Sequence, residues 1–461
     1  MAPRRILSPF LPGVLEFFLA ATAFAGPRYV APAGSDAANS CASPASPCAT
    51  FQHAVDVALS GDSIEIAPAV YDQRVRIEGK AGLTVNATGV TLRPDLAVLG
   101  LADAAQGSPC SGTPGRAVVF VRNSTGIVLN GLLIDGSLVF AAPNEPARLV
   151  GIFYRNASGA ISGGGVIHLR TEPASSNQVA GLGILVQTDE PAESPPPRVD
   201  INGVTIADFQ KSAIVFSGCD CAADGGPTGS VRLSTISSET NSLVGRNGVQ
   251  VSFGASGVVI EGNTISDLRL TGDPSLGLGS AVILASSRND HVVGNVLRDA
   301  NFGISNIGDI FCPNRAGENL DNEIRCNQIL DHDIGLTLDN DSHTIHDNAF
   351  SGNTQWGILA RDYYPAGQPD ADATFNWWGS PTGPTTPSNP GGTGDAVSPR
   401  VAYAPFLVLP PTCAAIPVSV PTLSAAGLAV LALLLGLGAV QRLQRRQWPG
   451  RLRLGARPSG E

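Results

Sequence analysis

Lysine is nearly absent from the chain: Lys80 and Lys211 are the only two among 461 residues, so the positive charge rests almost wholly on arginine. Charged residues make up 15% of the sequence and aromatics 6%, and no long helical block occurs, which sets aside a mainly helical fold. What positive charge there is lies at the ends. The segment before Gly26 carries a net +1 and the segment after Val440 a net +5, which leaves about −16 of the total −10 on the body. A body that acidic repels nucleic acid and other polyanions, so nucleic acid is excluded as a partner and an anionic polysaccharide would need a bridging cation.

What the sequence does contain is turn formers and short apolar runs. There are 53 glycines and 35 prolines, with 43% hydrophobic residues broken into brief stretches, the composition of a β-rich, turn-rich protein. The runs repeat. A small residue followed by alternating apolar positions occurs at Gly151, Gly183, Ala213, Gly248, Ala281, Gly303, Gly335 and Gly357, with two spacings of 22 residues and the others longer. A unit of about 22 residues with two or three short strands is one coil of a parallel β-solenoid. A second repeat runs in phase with it: "EGNTISD", "VGNVLRD", "RCNQILD", "HDNAFSG" and "TFNWWGS" place Asn263, Asn295, Asn327, Asn348 and Asn376 after successive strands. Two structural roles follow, a left-handed turn residue and an inward amide ladder along the solenoid axis. Upstream, "FQHAVDVAL" has helical spacing, with Phe51, Ala54, Val55 and Ala58 on one face, and predicts a short helix capping the open end of the solenoid.

Both termini read as targeting segments. Arg4 and Arg5, an apolar stretch and the small residues Ala23 and Ala25 predict a secretory signal peptide over 1–25. Eight cysteines in an exported chain favour disulfides, with Cys41 and Cys48 closing one short loop and Cys312 and Cys326 another.

At Tyr29–Gly34, Pro47–Thr50, Gly61–Asp62, Pro68–Tyr71 and "FNWWGSPTGP" (Phe375–Pro384), the sequence resembles the secreted right-handed parallel β-helix proteins of the pectin-lyase-like superfamily. The resemblance implies an all-β, right-handed parallel β-helix. Its members include polysaccharide lyases, glycoside hydrolases, epimerases and adhesins, so it does not select an activity. The motifs N-T-D, D-D and G-H-G of polygalacturonases, and R-x-P-x-x-R of pectate lyases, are missing. Further on, "VPTLSAAGLAVLALLLGLGAVQRLQRR" resembles the IPTL-type C-terminal sorting signals of Gram-negative bacteria. That resemblance implies one transmembrane helix flanked by Pro421, Thr422 and Leu423 on one side and Arg442, Arg445 and Arg446 on the other, and a membrane transpeptidase that reads it. The expected order is signal peptide 1–25, N-terminal cap 26–60, β-helix 61–409, Pro-rich linker 410–420, sorting signal 421–446 and basic cytoplasmic tail 447–461.

Aligning the last four anchors projects Ser287, Asp309, Asp341 and Tyr363 from one column and Ala285, Ile307, Asp339 and Arg361 from another. Asp309, Asp341 and Arg361 are the catalytic candidates. Two carboxylates at about 5 to 9 Å can serve as acid and base on a glycosidic bond. Asp339, Asp362, His332 and His343 are the binding candidates. The carboxylates could also hold Ca2+, and no other cofactor is evident. The expectation is an exported, surface-sorted protein of the cell envelope that binds extracellular polysaccharide or a surface glycan. Two alternatives stay open: a polysaccharide lyase or glycoside hydrolase, and a non-catalytic adhesin or scaffold.

Overall fold

The computed structural model describes residues 25–100, 112–139, 148–170, 181–189, 195–218, 226–238, 243–270, 278–308, 319–340, 342–361, 367 and 369–413. The chain divides after Cys413, and all the described residues belong to the first unit, Met1–Cys413.

Each coil visits three sheets in turn. One coil, for example, runs through Ser212–Ser217, then Thr228–Arg232, then Thr235–Ser237, before the next begins at Asn247–Ser252. Every strand pairs in parallel with its equivalent one coil on, as in Ile214↔Val249, Val231↔Ile260 and Ile236↔Ile265. The described residues thus form stacks of 10, 11 and 10 strands, here sheets I, II and III in the order a coil meets them. Strand alternation sends Val249, Ile260 and Ile265 into the coil, where all three are fully buried. Each such side chain adds about 1.5 to 3 kcal/mol of hydrophobic stabilisation.

The small-residue anchors are in register along sheet I. The pairings Leu182↔Ser212, Ser212↔Asn247, Asn247↔Ser280, Ser280↔Phe302, Phe302↔Ile334 and Ile334↔Trp356 place Gly183, Ala213, Gly248, Ala281, Gly303, Gly335 and Gly357 opposite one another. Close approach explains the small residues. A Cβ on Gly303 would lie 2.5 Å from the Gly335 carbonyl oxygen and 2.7 Å from Ile329 Cγ2. Gly303→Val is therefore expected to destabilise the protein by about 2 kcal/mol through overpacking, measured as a lower denaturation midpoint; an unchanged midpoint would refute the packing account.

The asparagines form the ladder. Asn263 donates both its backbone N–H and its amide to Asn295 Oδ1, each at 2.9 Å. Asn295 does the same to Asn327 (3.0 and 2.9 Å), Asn327 to Asn348 (3.0 Å twice) and Asn348 to Asn376 (2.8 and 3.0 Å). The left-handed residue, however, stands one place earlier. Gly262, Gly294, Cys326, Asp347 and Phe375 have φ between 56° and 66°, while the asparagines do not have positive φ. The turn and the ladder are two jobs done by neighbouring residues.

Both ends of the described coils are capped. The helix Phe51–Val57 buries Phe51, Ala54 and Val55, and Thr50 Oγ1 accepts the His53 N–H at its start. At the other end the fully buried Trp378 stacks on Phe350 with ring centroids 5.1 Å apart. Cys41 is bonded to Cys48. Cys326 is bonded to Cys413 and not to Cys312, which lies outside the described residues. The correction has a simple geometric cause: Cys326 sits at a coil corner where the returning C-terminal segment passes, a neighbour that lies 87 residues away along the chain. The sorting residues Pro421, Thr422, Leu423, Arg442, Arg445 and Arg446, and the expected transmembrane helix with them, lie outside the described residues. Among those described, no helix is long and apolar enough to cross a membrane.

Candidate functional site

Sheet I has a second, outward face. Along it the register Phe120↔Phe153↔Leu185↔Val215↔Gln250↔Ile283↔Ser305↔Thr337 runs through eight coils. Its chemistry changes along the way. In the early coils Ala117, Phe120, Val150, Phe153, Leu182, Leu185 and Val215 form a buried apolar cluster separate from the coil interior. From Ser212 onward polar side chains enter the same columns, interspersed with Val215, Ile283, Phe302 and Ile334. Asn247 Nδ2 donates to Gln250 Oε1 at 3.0 Å, Gln250 Nε2 donates to Ser252 Oγ at 3.0 Å, and the Ser280 and Ser305 hydroxyls are 3.0 Å apart.

This polar stretch ends at the aligned pair Asp339 and Arg361. The pairing Leu338↔Ala360 brings the next residues, Asp339 and Arg361, side by side. Arg361 Nε lies 3.9 Å from Asp339 Oδ1, and Nη2 donates to Thr337 Oγ1 at 3.4 Å. The guanidinium also stands 6.0 Å from the centroid of the Phe302 ring, a cation–π contact. Asp339 Oδ2 accepts the Gly308 N–H, and the carboxylate is only 6% exposed against 20% for the Arg361 side chain. Asn247, Ser280, Ser305 and Thr337 are themselves buried, at 4% exposure or less, and hold the row in place; the partly exposed groups that a polar, hydroxyl-rich ligand can meet are the Gln250 amide, the half-buried Phe302 ring and the Arg361 guanidinium.

Of the other site candidates, Asp309, Asp341 and Asp362 lie outside the described residues. His332 and His343 are described, and they do not face a ligand. His332 is fully buried in the coil: Nδ1 accepts from the Ala300 N–H at 3.1 Å and Nε2 donates to the Leu297 carbonyl at 3.1 Å. His343 Nδ1 accepts from the Asn322 N–H at 3.3 Å. Burial drives both imidazoles down to a pKa of about 4, so both are neutral. They are ladder rungs, not surface bases. Among the described residues, the three potential metal ligands that cluster are Cys41, Cys48 and His53, but the two sulfurs are joined in a disulfide.

The outward row of Asn247, Gln250, Ser280, Ser305 and Thr337, with Phe302, was not singled out from the sequence. The signal was present: counted from each small-residue anchor, the positions one before and two after point outward, and "NGVQVS", "FGISNI" and "IGLTL" carry Gln250, Ser305 and Thr337 two places after it, with Asn247 also one place before.

A family comparison agrees with this architecture. A family model described as a right-handed β-helix region matches residues 183–365, and an IPTL-CTERM motif matches residues 418–446. No curated protein matches the sequence. Among solved structures, a GH136 lacto-N-biosidase from Eubacterium ramulus, as its selenomethionine derivative, aligns over 76% of this chain and 67% of its own, with 13% identity and a TM-score of 0.53. The native form of the same enzyme aligns at 14% identity and a TM-score of 0.49, again over 76% and 67% of the two chains. A complex of XylC with xylose aligns at 13% identity and 0.44, over 77% of this chain and 67% of that one. The alignment at a TM-score of 0.53 and 13% identity speaks to the fold alone. The chain is a right-handed parallel β-helix protein that carries an IPTL-CTERM motif near its C-terminus. The motif and the disulfides fit an exported or cell-surface protein.

Proposed function

We propose that the protein is exported, sorted to the cell surface through its C-terminal motif by a membrane transpeptidase, and binds extracellular carbohydrate on the outward face of sheet I. The observation that carries this reading is the change along one set of columns from a buried apolar cluster to hydrogen-bonding side chains that end at Arg361 and Asp339 beside Phe302. Sugars are bound by such a mixture, because hydroxyls need donors and acceptors while the ring faces need apolar or aromatic surface. The Arg361 guanidinium gives the site a preference for acidic sugars. A glycan array run with and without Ca2+ tests the reading and also the proposed role of the cation. Gln250→Ala with Arg361→Ala is expected to weaken binding about tenfold, or about 1.4 kcal/mol; an unchanged affinity would move the site elsewhere. Turnover in a reducing-end or unsaturated-uronate assay, abolished by Asp341→Asn, would instead favour the lyase or hydrolase reading, in which Asp309, Asp341 and Arg361 do the chemistry.

A further inference from the structure

The first described strand, Pro27–Val30, begins beside an unusual carboxylate. Asp62 is fully buried, yet it gathers a guanidinium and two backbone donors. Arg28 Nε and Nη2 reach Oδ2 at 2.8 Å each, the Leu59 N–H reaches Oδ2 at 2.8 Å, and the Gly26 N–H reaches Oδ1 at 2.8 Å. Burial works to raise the pKa of this group, but the Gly26, Leu59 and Arg28 donors outweigh it and hold the carboxyl below its ordinary range. Lys80 Nζ is engaged elsewhere, donating to the Ala58 carbonyl at 2.8 Å. The donor at Gly26 sits where the sequence places its small-residue cleavage signal, Ala23-Phe24-Ala25 followed by Gly26.

We propose that the chain is hydrolysed between Ala25 and Gly26 and that the α-ammonium released at Gly26 docks on Asp62. One water adds across the peptide bond: Ala25 leaves with a carboxyl group, and the Gly26 nitrogen becomes an amine that takes up a proton at neutral pH. The nitrogen already lies at hydrogen-bond distance from Oδ1, so docking requires no movement of the strand. The new charge gives a buried carboxylate a second cation beside Arg28, turning an amide-to-carboxylate hydrogen bond into an ammonium–carboxylate ion pair. Strand Pro27–Val30 pairs with Ser63–Ile66, so the ion pair clamps the first strand of sheet II at its free end.

The test uses the full chain expressed with export and purified from the cell envelope. Intact mass and N-terminal sequencing are expected to give Gly26-Pro27-Arg28-Tyr29 as the first residues. Any other start, or a retained leader, overturns the cleavage site. Docking is read separately, from the rate at which an N-hydroxysuccinimide ester labels the α-amine. In the folded protein that rate is expected to be about tenfold lower than in urea, a change equal to one pKa unit. In Asp62→Asn the protection is expected to vanish. If that variant does not fold, the folded-against-urea comparison on the natural chain still decides, and equal labelling rates in the two states overturn the docking.

Discussion

Replacing Asn327 with leucine is expected to destabilise the protein by about 3 to 5 kcal/mol, more than any single surface change. Asn327 is a central rung. Its Oδ1 takes the backbone N–H of Asn295 at 3.0 Å and the Asn295 amide at 2.9 Å. Its own amide donates to the Val292 carbonyl at 2.7 Å and to Asn348 Oδ1 at 3.0 Å. Leucine has a similar volume and satisfies none of these. The Asn295 N–H and the Val292 carbonyl would then be buried without partners, at about 1 to 3 kcal/mol each. The bonds also run in series, so rungs on either side lose polarisation when the middle one is removed. Asn130→Ala is the control. Its amide donates to Asn86 Oδ1 at 3.0 Å in the same ladder fashion, but both residues are half-buried on the solvent face of sheet II, and the change is expected to stay within about 0.5 kcal/mol. Urea denaturation of the two variants measures the difference, and a loss below about 1 kcal/mol for Asn327→Leu would mean that the ladder is decoration and not support.

The ladder was legible because it repeats in phase with the small residues, and both follow from the same cause, a backbone that returns to the same place once per coil. Register could be read because the anchors Gly183, Gly248, Gly303 and Gly335 each have a backbone oxygen of the next coil 2.4 to 2.6 Å from where a Cβ would be. The histidines were not legible for an equally physical reason. Proximity in sequence to Asp339 says which coil they occupy and not which way they point. His332 Nδ1 accepts from the Ala300 N–H and the His332 backbone N–H donates to Asn353 Oδ1 at 3.1 Å, while Asn353 donates to Asp395, so the imidazole nitrogen stands in for an amide oxygen in another ladder. His343 does the same below Asn322, whose Oδ1 accepts from the Asp290 N–H at 2.9 Å. Corners of the coil are closed by rungs of mixed chemistry, and only the all-asparagine one announces itself as a repeat. The partner of Cys326 was hidden in the same way: a disulfide joins residues that are close in the folded coil stack, and Cys413 arrives there from the end of the unit.

Asp290→Asn is expected to stabilise the protein by up to about 4 kcal/mol at pH 8 and by nothing measurable at pH 4. Asp290 heads the ladder that continues through Asn322 to His343, in a place with no exposure to solvent. Burial pushes its pKa up to about 7, against the hydrogen bonds from Ser287 and the Val258 N–H. A carboxyl with a folded-state pKa above its unfolded value stabilises the fold only while it is protonated in both states, below about pH 4. That contribution declines as pH rises from about 4 to about 7 and is absent above it. The buried histidines act with the opposite sign over the same interval. With folded pKa values of about 4, below the ordinary value near 6.5, they stabilise fully above pH 6.5 and lose that contribution as pH falls toward 4. The natural protein is therefore pulled from both sides and has its greatest stability between those limits. An asparagine at 290 keeps the oxygen that takes the Val258 N–H at 2.8 Å and removes this ionisable group, leaving the slope of the two histidines to outweigh that of Asp395, whose carboxyl burial also raises. Stability of the variant should then rise steadily from pH 4 to 7 and stay level to pH 8, as measured by urea denaturation across that range. A variant whose difference from the natural protein is the same at pH 4 and pH 8 would show that Asp290 is not the group that titrates.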